Sequence, residues 1–285
     1  MKNLFRIVLI LFAFTITEIA RAQDADISNE SRPVTGIYSI EWGHKNVLAT
    51  YLSPLHYSGS NIGLSGEWSK AMPFSPQNAI MRFNGGMDFS NLLNPAQTAR
   101  MIGLNAYFSW GMEWRRKLPK NFQFTLGGAA SLKGGAYYLL RNGNNPVQAM
   151  GNISIDVTGS LSKAIRYKKL NLLIEDQVSV PSLSLFFMPE YGETYYEIYL
   201  GNTSHLVHGG WWGNNFSLNN LLSFTFDFGR TAAMIGYRFN MQTAWANYLN
   251  TKIFSHSLVV GIIPGGLGLK KKVSRVAEST VYADF

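Results

Sequence analysis

The chain contains no cysteine among its 285 residues, which excludes disulfide bonds, thiolate metal sites and a cysteine nucleophile. Beyond residue 22 it also lacks an apolar run of the roughly 20 residues that a transmembrane helix needs. It shows no phosphate-binding loop, nucleic-acid-binding module or internal repeat. An exported chain without disulfides needs another source of stability, and a closed hydrogen-bonded barrel provides one.

The first residues have the features of a secretory signal peptide. Lys2 and Arg6 form a basic start, Ile7–Ile16 is a short apolar run, and Ala20-Arg21-Ala22 has the small-residue pattern of a cleavage site. A membrane anchor is the alternative, but the apolar run is short for one. We predict a signal peptide at residues 1–22, a periplasmic lead at 23–33, a β-barrel domain at 34–265 and a basic periplasmic tail at 266–285.

The formal net charge is +8, and cleavage after residue 22 would remove a net charge of +2. Much of the basic charge lies in three clusters, at residues 115–120, 163–169 and 270–275. Two clusters fall at predicted turns and the third follows the last predicted strand. Because this distribution is not a continuous basic stripe, we predict no nucleic-acid partner.

Residues 102–114 have the most regular pattern in the chain. Even-numbered positions are apolar, including Phe108 and Trp110, whereas odd-numbered positions are small or polar, including Ser109 and Glu113. A period of two over such a length predicts a β-strand with one apolar face. Such a strand suits the wall of a lipid-embedded barrel.

The same pattern recurs along the chain and predicts an all-β, antiparallel, up-and-down transmembrane β-barrel of ten strands. Long connections at His44–Ser58, Ser90–Arg100, Gly134–Gln148, Pro181–Asn219 and Thr243–Lys252 alternate with short turns, as in bacterial outer-membrane barrels with periplasmic termini. A strand-like piece at Thr194–Leu200 would raise the count to twelve if it joined the wall. Charges of both signs opposite the Phe- and Trp-rich faces favour this barrel over a soluble β-sandwich. Four tryptophans partly fit aromatic girdles: Trp42, Trp68, Trp110 and Trp114.

The faces opposite the apolar ones carry ionisable residues that would point into the lumen. We predict a lumen network of Glu41, Glu67, Arg82, Asp88, Glu113, Asp156, Glu175, Asp227 and Arg238. Because a ten-strand barrel is narrow and buried charges must be paired, we interpret this network as a plug. A narrow channel for small solutes is the alternative.

The predicted working surface is the outer loops, chiefly Ala136–Pro146 and Pro189–Phe216. Aromatic side chains among Gly and Asn suit recognition of a sugar or a protein, and loops on a rigid scaffold commonly carry function. The predicted binding residues are Tyr195, Tyr196, Tyr199, Trp211, Trp212, Arg141, Asn142 and Asn145. The expected partners are outer-membrane lipid and a glycan or protein at these loops, with no cofactor. A lid folding back over the barrel mouth is an equally good interpretation of the second loop.

Two weaker patterns would make the protein an enzyme. His56 and Ser58 resemble the His and Ser of outer-membrane lipid A deacylases, but the sequence supplies no acidic third member. His205 and His208 have glutamates upstream, yet their spacing lies in a predicted loop and ordinary loop histidines are the simpler interpretation. A rim enzyme acting on lipid A or peptides is therefore the alternative to a structural and binding barrel.

Three segments carry a resemblance to a known family: residues 51–55 (YLSPL), 140–146 (LRNGNNP) and 189–202 (PEYGETYYEIYLGN). They resemble domain-of-unknown-function family number 3316 of exported Bacteroidota proteins. The resemblance spans the chain from the first to the last predicted strand. It implies an outer-membrane barrel of a Gram-negative bacterium and supplies no activity. Residues 273–285 lie beyond the family pattern, although the terminal Phe285 is similar to the last aromatic residue of barrel insertion signals.

Overall fold

A computed structural model describes residues 32–167, 170–267 and 281. The predicted signal peptide, nearly all of the predicted lead and most of the basic tail, including Phe285, lie outside the described residues. Within the described residues there are eleven strands and one short α-helix, α1. These are β1 (Thr35–Ala49), β2 (Ser53–Ala71), β3 (Ala79–Leu93), β4 (Arg100–Leu118), β5 (Phe122–Leu139), β6 (Val147–Tyr167), β7 (Leu170–Phe187), α1 (Tyr195–Tyr199), β8 (Val207–Gly210), β9 (Asn215–Asp227), β10 (Thr231–Ala246) and β11 (Leu249–Pro264).

Ten of these strands form a closed antiparallel barrel. Each wall strand pairs with the next along the chain, and β1 pairs with β11 over Tyr38–Ala49, which closes the cylinder. The eleventh strand, β8, pairs with the end of β7 through Ser184–Phe187, and β9 pairs with the earlier part of β7. The prediction of an all-β, ten-strand barrel is therefore confirmed.

The predicted inside-out polarity is present over the half of the barrel nearer the chain termini. Ile40 and Phe108 point outward with 58% and 49% of their surface exposed, whereas Glu113 and Asp156 point inward with 5% and 2%. In a bilayer, Ile40 and Phe108 would contact lipid, whereas Glu113 and Asp156 would line the lumen. Among the described residues, no helix is long and apolar enough to cross a membrane.

One carboxylate departs from this polarity. Of the eight acidic residues in the strands, seven point inward and Asp176 points outward, among apolar neighbours such as Val178 and Leu222. Asn220 Nδ2 donates a hydrogen bond of 2.6 Å to Asp176 Oδ1. A carboxylate on a lipid-facing surface is costly, and this amide partly compensates it.

The polarity inverts at the opposite end of the barrel, which we call the cap end because the connection of residues 188–214 lies there. Inward residues become apolar and form the largest hydrophobic cluster, which includes Val47, Tyr57 and Met101. On β1, β2, β3 and β11 the outward residues become mostly polar at the same height: His44, Asn46, His56, Ser58, Ser60, Asn91 and Lys252. On other strands at this end apolar residues such as Tyr138, Leu185 and Trp245 stay exposed. This end therefore has an apolar core and, along β1–β3 and β11, the polar outer surface typical of a soluble protein.

This inversion corrects several predicted boundaries. The predicted loops at His44–Ser58, Gly134–Gln148 and Thr243–Lys252 are mostly strand, and the connections shrink to residues 50–52, 140–146 and 247–248. The predicted alternation of long and short connections along almost the whole chain is therefore wrong, and residues 188–214 form the long connection at the cap end. The strand-like interpretation of Thr194–Leu200 is also wrong, because this segment contains α1.

Local chemistry explains why α1 forms. Thr194 Oγ1 accepts a hydrogen bond from Glu197 N at 3.1 Å, and Glu197 Oε2 accepts one from Thr194 N at 2.7 Å. This reciprocal capping box satisfies two amide groups at the start of the helix. Gly192 and Gly201 take positive φ angles of 87° and 102° on either side, which glycine tolerates without strain.

The other end of the barrel, here the turn end, is also filled. Two small apolar clusters occupy the lumen there and include Leu173, Ile263 and Met234. The fully buried Arg115 donates from Nε to Gln77 O at 2.8 Å and from Nη2 to Pro76 O at 2.7 Å. The β2–β3 turn is thereby held across the base of the lumen.

Candidate functional site

The cap, defined as residues 188–214, folds over the barrel mouth and is fastened to it by two tyrosines. Tyr51 donates from its hydroxyl to Glu193 O at 2.7 Å, and the Tyr195 hydroxyl accepts from Ala149 N at 2.6 Å. The two rings meet edge to face with centroids 6.3 Å apart. Burial raises the pKa of Tyr51 to about 12, and Tyr195 and Glu193 add to the effect. Burial also raises the pKa of Tyr195, although the hydrogen bond from Ala149 N lowers it in part.

Other aromatic residues of the cap face solvent. Tyr196 and Tyr199, which lie three residues apart on one side of α1, expose 68% and 84% of their surface. Trp211 and Trp212 expose 63% and 61%. Among the predicted binding residues, the structure thus separates four exposed rings from Tyr195, which is half-buried and serves as an anchor. Tyr191, not among the predicted binding residues, is exposed as well.

The cap is also attached away from the tyrosines. Asn247 Nδ2 donates to Met188 O and His205 O at 3.1 and 3.0 Å. The indole N–H of Trp212 donates to Pro181 O in β7. Pro181 lies in the stretch of β7 between its pairings with β9 and with β8, so Trp212 fastens the cap where regular wall pairing is interrupted.

The predicted binding residues of the β5–β6 connection lie beside the cap. Asn142 Nδ2 donates to Leu52 O at 3.2 Å and so joins this connection to the β1–β2 connection. Arg141 is exposed, and Asn145 takes a left-handed conformation with φ of 47°. Asn142 therefore has a structural bond, whereas the Arg141 side chain is available to a ligand.

The predicted lumen residues gather around two arginines in the middle of the barrel. Arg82 lies 3.4 Å from Glu67, 3.7 Å from Glu113 and 3.4 Å from Glu175, so three strands contribute carboxylates to one guanidinium. Arg238 Nε lies 3.4 Å from Glu41 Oε1. Its Nη1 donates to the Tyr107 hydroxyl at 3.1 Å. Pairing of this kind is what buried charges require.

The remaining predicted lumen carboxylates have other partners. Asp88 pairs with Lys45. Asp156 accepts hydrogen bonds from the hydroxyl groups of Ser131, Ser154 and Ser179 at 2.7, 2.6 and 3.2 Å. Asp227 lies at the turn end, where its Oδ1 accepts from Gly229 N at 2.7 Å and shapes the β9–β10 turn.

Three cavities follow one another along the lumen, with volumes of about 150, 80 and 20 Å³ from the cap end toward the turn end. The Arg238 and Tyr107 side chains line all three and mark the boundaries between them. The apolar clusters already described lie beyond the first and the last cavity. The polar interior thus lies between two apolar clusters.

His56 and Ser58 lie within β2 and not in a rim loop, and both point outward. The His56 ring Nδ1 lies 2.9 Å from Asn46 Oδ1 on β1. No hydrogen bond joins His56 to Ser58 or to a carboxylate among the residues that the structure describes. The arrangement orients the imidazole but supplies no acid to complete a nucleophilic triad.

His205 and His208 are not placed as a pair of metal ligands. His208 Nε2 lies 3.0 Å from Met188 O, and its ring packs against Phe186 with centroids 5.4 Å apart. His205 is exposed with a φ of 59°. Within the described ranges, no group of three or more His, Asp or Glu side chains could hold a metal ion.

Two residues that the structure makes conspicuous are absent from the sequence predictions. Lys45 points into the largest cavity beside Lys133, and Asp176 points outward. Strand periodicity contained the signal for each: Lys45 follows Glu41 by four residues, and Asp176 follows the inward Glu175 by one.

Comparisons with known proteins identify a family but no activity. The family model for proteins of unknown function, DUF3316, matches residues 4–272. None of the curated protein sequences matches the chain. Among solved structures, the β domain of the Bordetella autotransporter BrkA is similar, at 9% identity and a TM-score of 0.40 over 82% of this chain and all of that one. The outer membrane protease OmpT from Escherichia coli matches at 8% identity and 0.42, over 83% and 97%. The translocator domain of the autotransporter NalP from Neisseria meningitidis matches at 9% and 0.40, over 90% and 96%. Values this low carry no information on activity or ligand.

Proposed function

The chain belongs to family DUF3316, and we propose from its geometry that it is an outer-membrane barrel with a plugged lumen that binds a glycan through the exposed aromatic residues of its cap. The observation that carries this proposal is the cap itself. It is fastened to the barrel by Tyr51 and Tyr195, yet it exposes five aromatic rings. A fastened surface does not lose much conformational entropy on binding, which favours affinity.

Export through a cleaved signal peptide to the outer membrane of a Gram-negative, Bacteroidota-type cell is part of the same proposal. The outward apolar band supports a bilayer environment, and the basic apolar start of the chain supports export. With the cap facing outward, both described chain ends lie on the periplasmic side.

The charge of the cap favours a neutral glycan over an anionic lipid head group. Its charged residues are Glu190, Glu193 and Glu197, with no Lys or Arg. Phosphate-bearing head groups would be repelled by this surface. Aromatic faces next to polar groups suit the alternating apolar and hydroxylated faces of sugars.

The cap predicts a binding defect in a double variant. Tyr196→Ala with Tyr199→Ala removes two exposed rings and is expected to weaken binding to a neutral polysaccharide about tenfold or more, since rings of this kind carry much of an interface's energy. Affinity electrophoresis against a panel of neutral and acidic polysaccharides measures it. Phe74→Ala, which removes an exposed ring at the turn end, is the matched control. If wild-type protein binds none of the polysaccharides but retains a protein from the cell surface, the glycan is the wrong ligand.

The enclosed lumen predicts that the barrel does not conduct. Two apolar layers bracket the ionic centre, and dry constrictions of this kind oppose the passage of hydrated ions. Refolded protein in a planar bilayer is expected to give no single-channel steps, with folding verified by heat-modifiable migration on a gel. Reproducible steps from the wild-type protein would contradict the plug and promote the narrow channel.

A further inference from the structure

We propose that the largest lumen cavity is a second binding site, which takes a small carboxylic acid bearing a hydroxyl group through Lys133. The cavity lies between the apolar cluster under the cap and the Arg238–Tyr107 boundary and measures about 150 Å³. An engineered protein cavity of that volume takes benzene, so the ligand has roughly six or seven non-hydrogen atoms.

The charges that line the cavity do not cancel. Five charged residues contribute: Glu41, Lys45, Asp88, Lys133 and Arg238. Lys45 pairs with Asp88, and Arg238 pairs with Glu41. These four residues thus form two ion pairs, and Lys133 is the fifth charged residue, which has no ion pair with the others.

Lys133 has a hydroxyl partner but no ion pair within the part of the chain that the structure describes. Its Nζ donates to Ser217 Oγ at 3.1 Å across the lumen. An ammonium has three protons to donate, so this bond leaves two. The neighbouring Asp156 carboxylate attracts Lys133 but forms no ion pair with it, and it accepts hydrogen bonds from three serine hydroxyl groups instead. A cation inside the barrel without a carboxylate in direct contact is unfavourable, and a bound carboxylate would supply that contact.

The amide side chains around the cavity point to a second feature of the ligand. Asn61, Gln148 and Asn215 line the cavity and are at least nine-tenths buried. In the described structure each has a side-chain oxygen without a hydrogen-bond partner. The amide nitrogens of Gln148 and Asn215 already donate, to Thr251 and Ser184. The free groups are therefore acceptors, and a ligand hydroxyl would donate to one of them.

The roof of the cavity supplies the apolar part of the site. Phe186 and Met188 of the apolar cluster face it from the cap end, and Met150 and Ile253 flank them. A ligand with its carboxylate at Lys133 would place a short alkyl chain against these side chains. The exposed aromatic residues of the cap play no part in this contact, so the site is independent of the glycan proposal.

Three four-carbon probes of six or seven non-hydrogen atoms separate the contributions. We expect 3-hydroxybutyrate to bind the full-length refolded protein in micelles, butyrate to bind severalfold more weakly, and uncharged 1,3-butanediol to bind at least tenfold more weakly. Saturation-transfer NMR measures all three. Lys133→Met is expected to weaken 3-hydroxybutyrate at least tenfold, whereas Lys252→Met, at an outward lysine, leaves it unchanged. The cap variant Tyr196→Ala with Tyr199→Ala is also expected to bind it normally, so failure here and failure of the cap proposal remain distinguishable.

Three results would overturn the site. Wild-type protein that binds none of the probes has only water in the cavity. Equal binding of 1,3-butanediol and 3-hydroxybutyrate removes the role of the charge. Unchanged binding by a folded Lys133→Met variant places the ligand elsewhere.

Discussion

Arg82→Met is expected to lower the free energy of unfolding by about 3–5 kcal/mol, because removing one partner of a buried ion pair leaves uncompensated charge. Arg82 is the cation that Glu67, Glu113 and Glu175 share in the middle of the barrel. Methionine fills much of the same volume, so the loss reports charge more than packing. Urea unfolding from lipid vesicles, followed by tryptophan fluorescence, gives the value.

Two companion variants make the Arg82 result specific. Arg116→Met changes an exposed arginine near the end of the same barrel and is expected to cost less than about 0.5 kcal/mol, as surface substitutions usually do. Adding Glu113→Gln to Arg82→Met removes one of the stranded charges and should recover part of the lost stability. If Arg82→Met costs no more than Arg116→Met, the three carboxylates do not depend on this cation.

Gly43→Ala is expected to impair closure of the barrel between its first and last strands. A Cβ atom at Gly43 would lie 1.8 Å from His256 O and 2.6 Å from Ser257 Cα in β11. These are backbone atoms in the closing β1–β11 pair, so a rotamer change cannot relieve the overlap. The cost should reach the upper end of overpacking effects, about 3 kcal/mol.

Gly128→Ala is the matched control for closure. Gly128 points outward from β5, and an added Cβ would come no nearer than 3.6 Å to its neighbours. The folded fraction, measured as the heat-modifiable species after refolding, should fall for Gly43→Ala and stay at the wild-type value for Gly128→Ala. Equal folded fractions would show that β11 shifts freely to admit the methyl group.

The sequence predicted the architecture where one physical rule held along the strand. Around Phe108 and Glu113 the apolar face points out of the barrel and the polar face points into the lumen. The period of two in the sequence therefore predicted where these strands lie. At the cap end the same period continues with the faces exchanged: Val47 points inward and Asn46 outward. A prediction that expects apolar side chains on the outer face of every strand assigns such a segment to a loop.

The site was less predictable because its contacts join distant segments. The carboxylates around Arg82 come from β2, β4 and β7, and the Arg82–Glu175 contact spans 93 positions. Periodicity states that such residues face the lumen but not which of them meet. The α1 helix was predictable, since Thr194 and Glu197 have the spacing of a capping box before any coordinates are known.

The exchange of faces along the strands has a consequence for where contact with a ligand can occur. Apart from β9, the wall strands have 15 to 21 residues. At about 3.3 Å per residue and a tilt of about 40° they rise roughly 38–53 Å, against about 25 Å for an outer-membrane apolar band. In the orientation proposed above, the part of this excess at the cap end would extend beyond the bilayer as a direct continuation of the wall strands. The aromatic residues of the cap would then lie up to about three nanometres above the acyl chains, away from the surrounding lipids and within reach of long polymers at the cell surface.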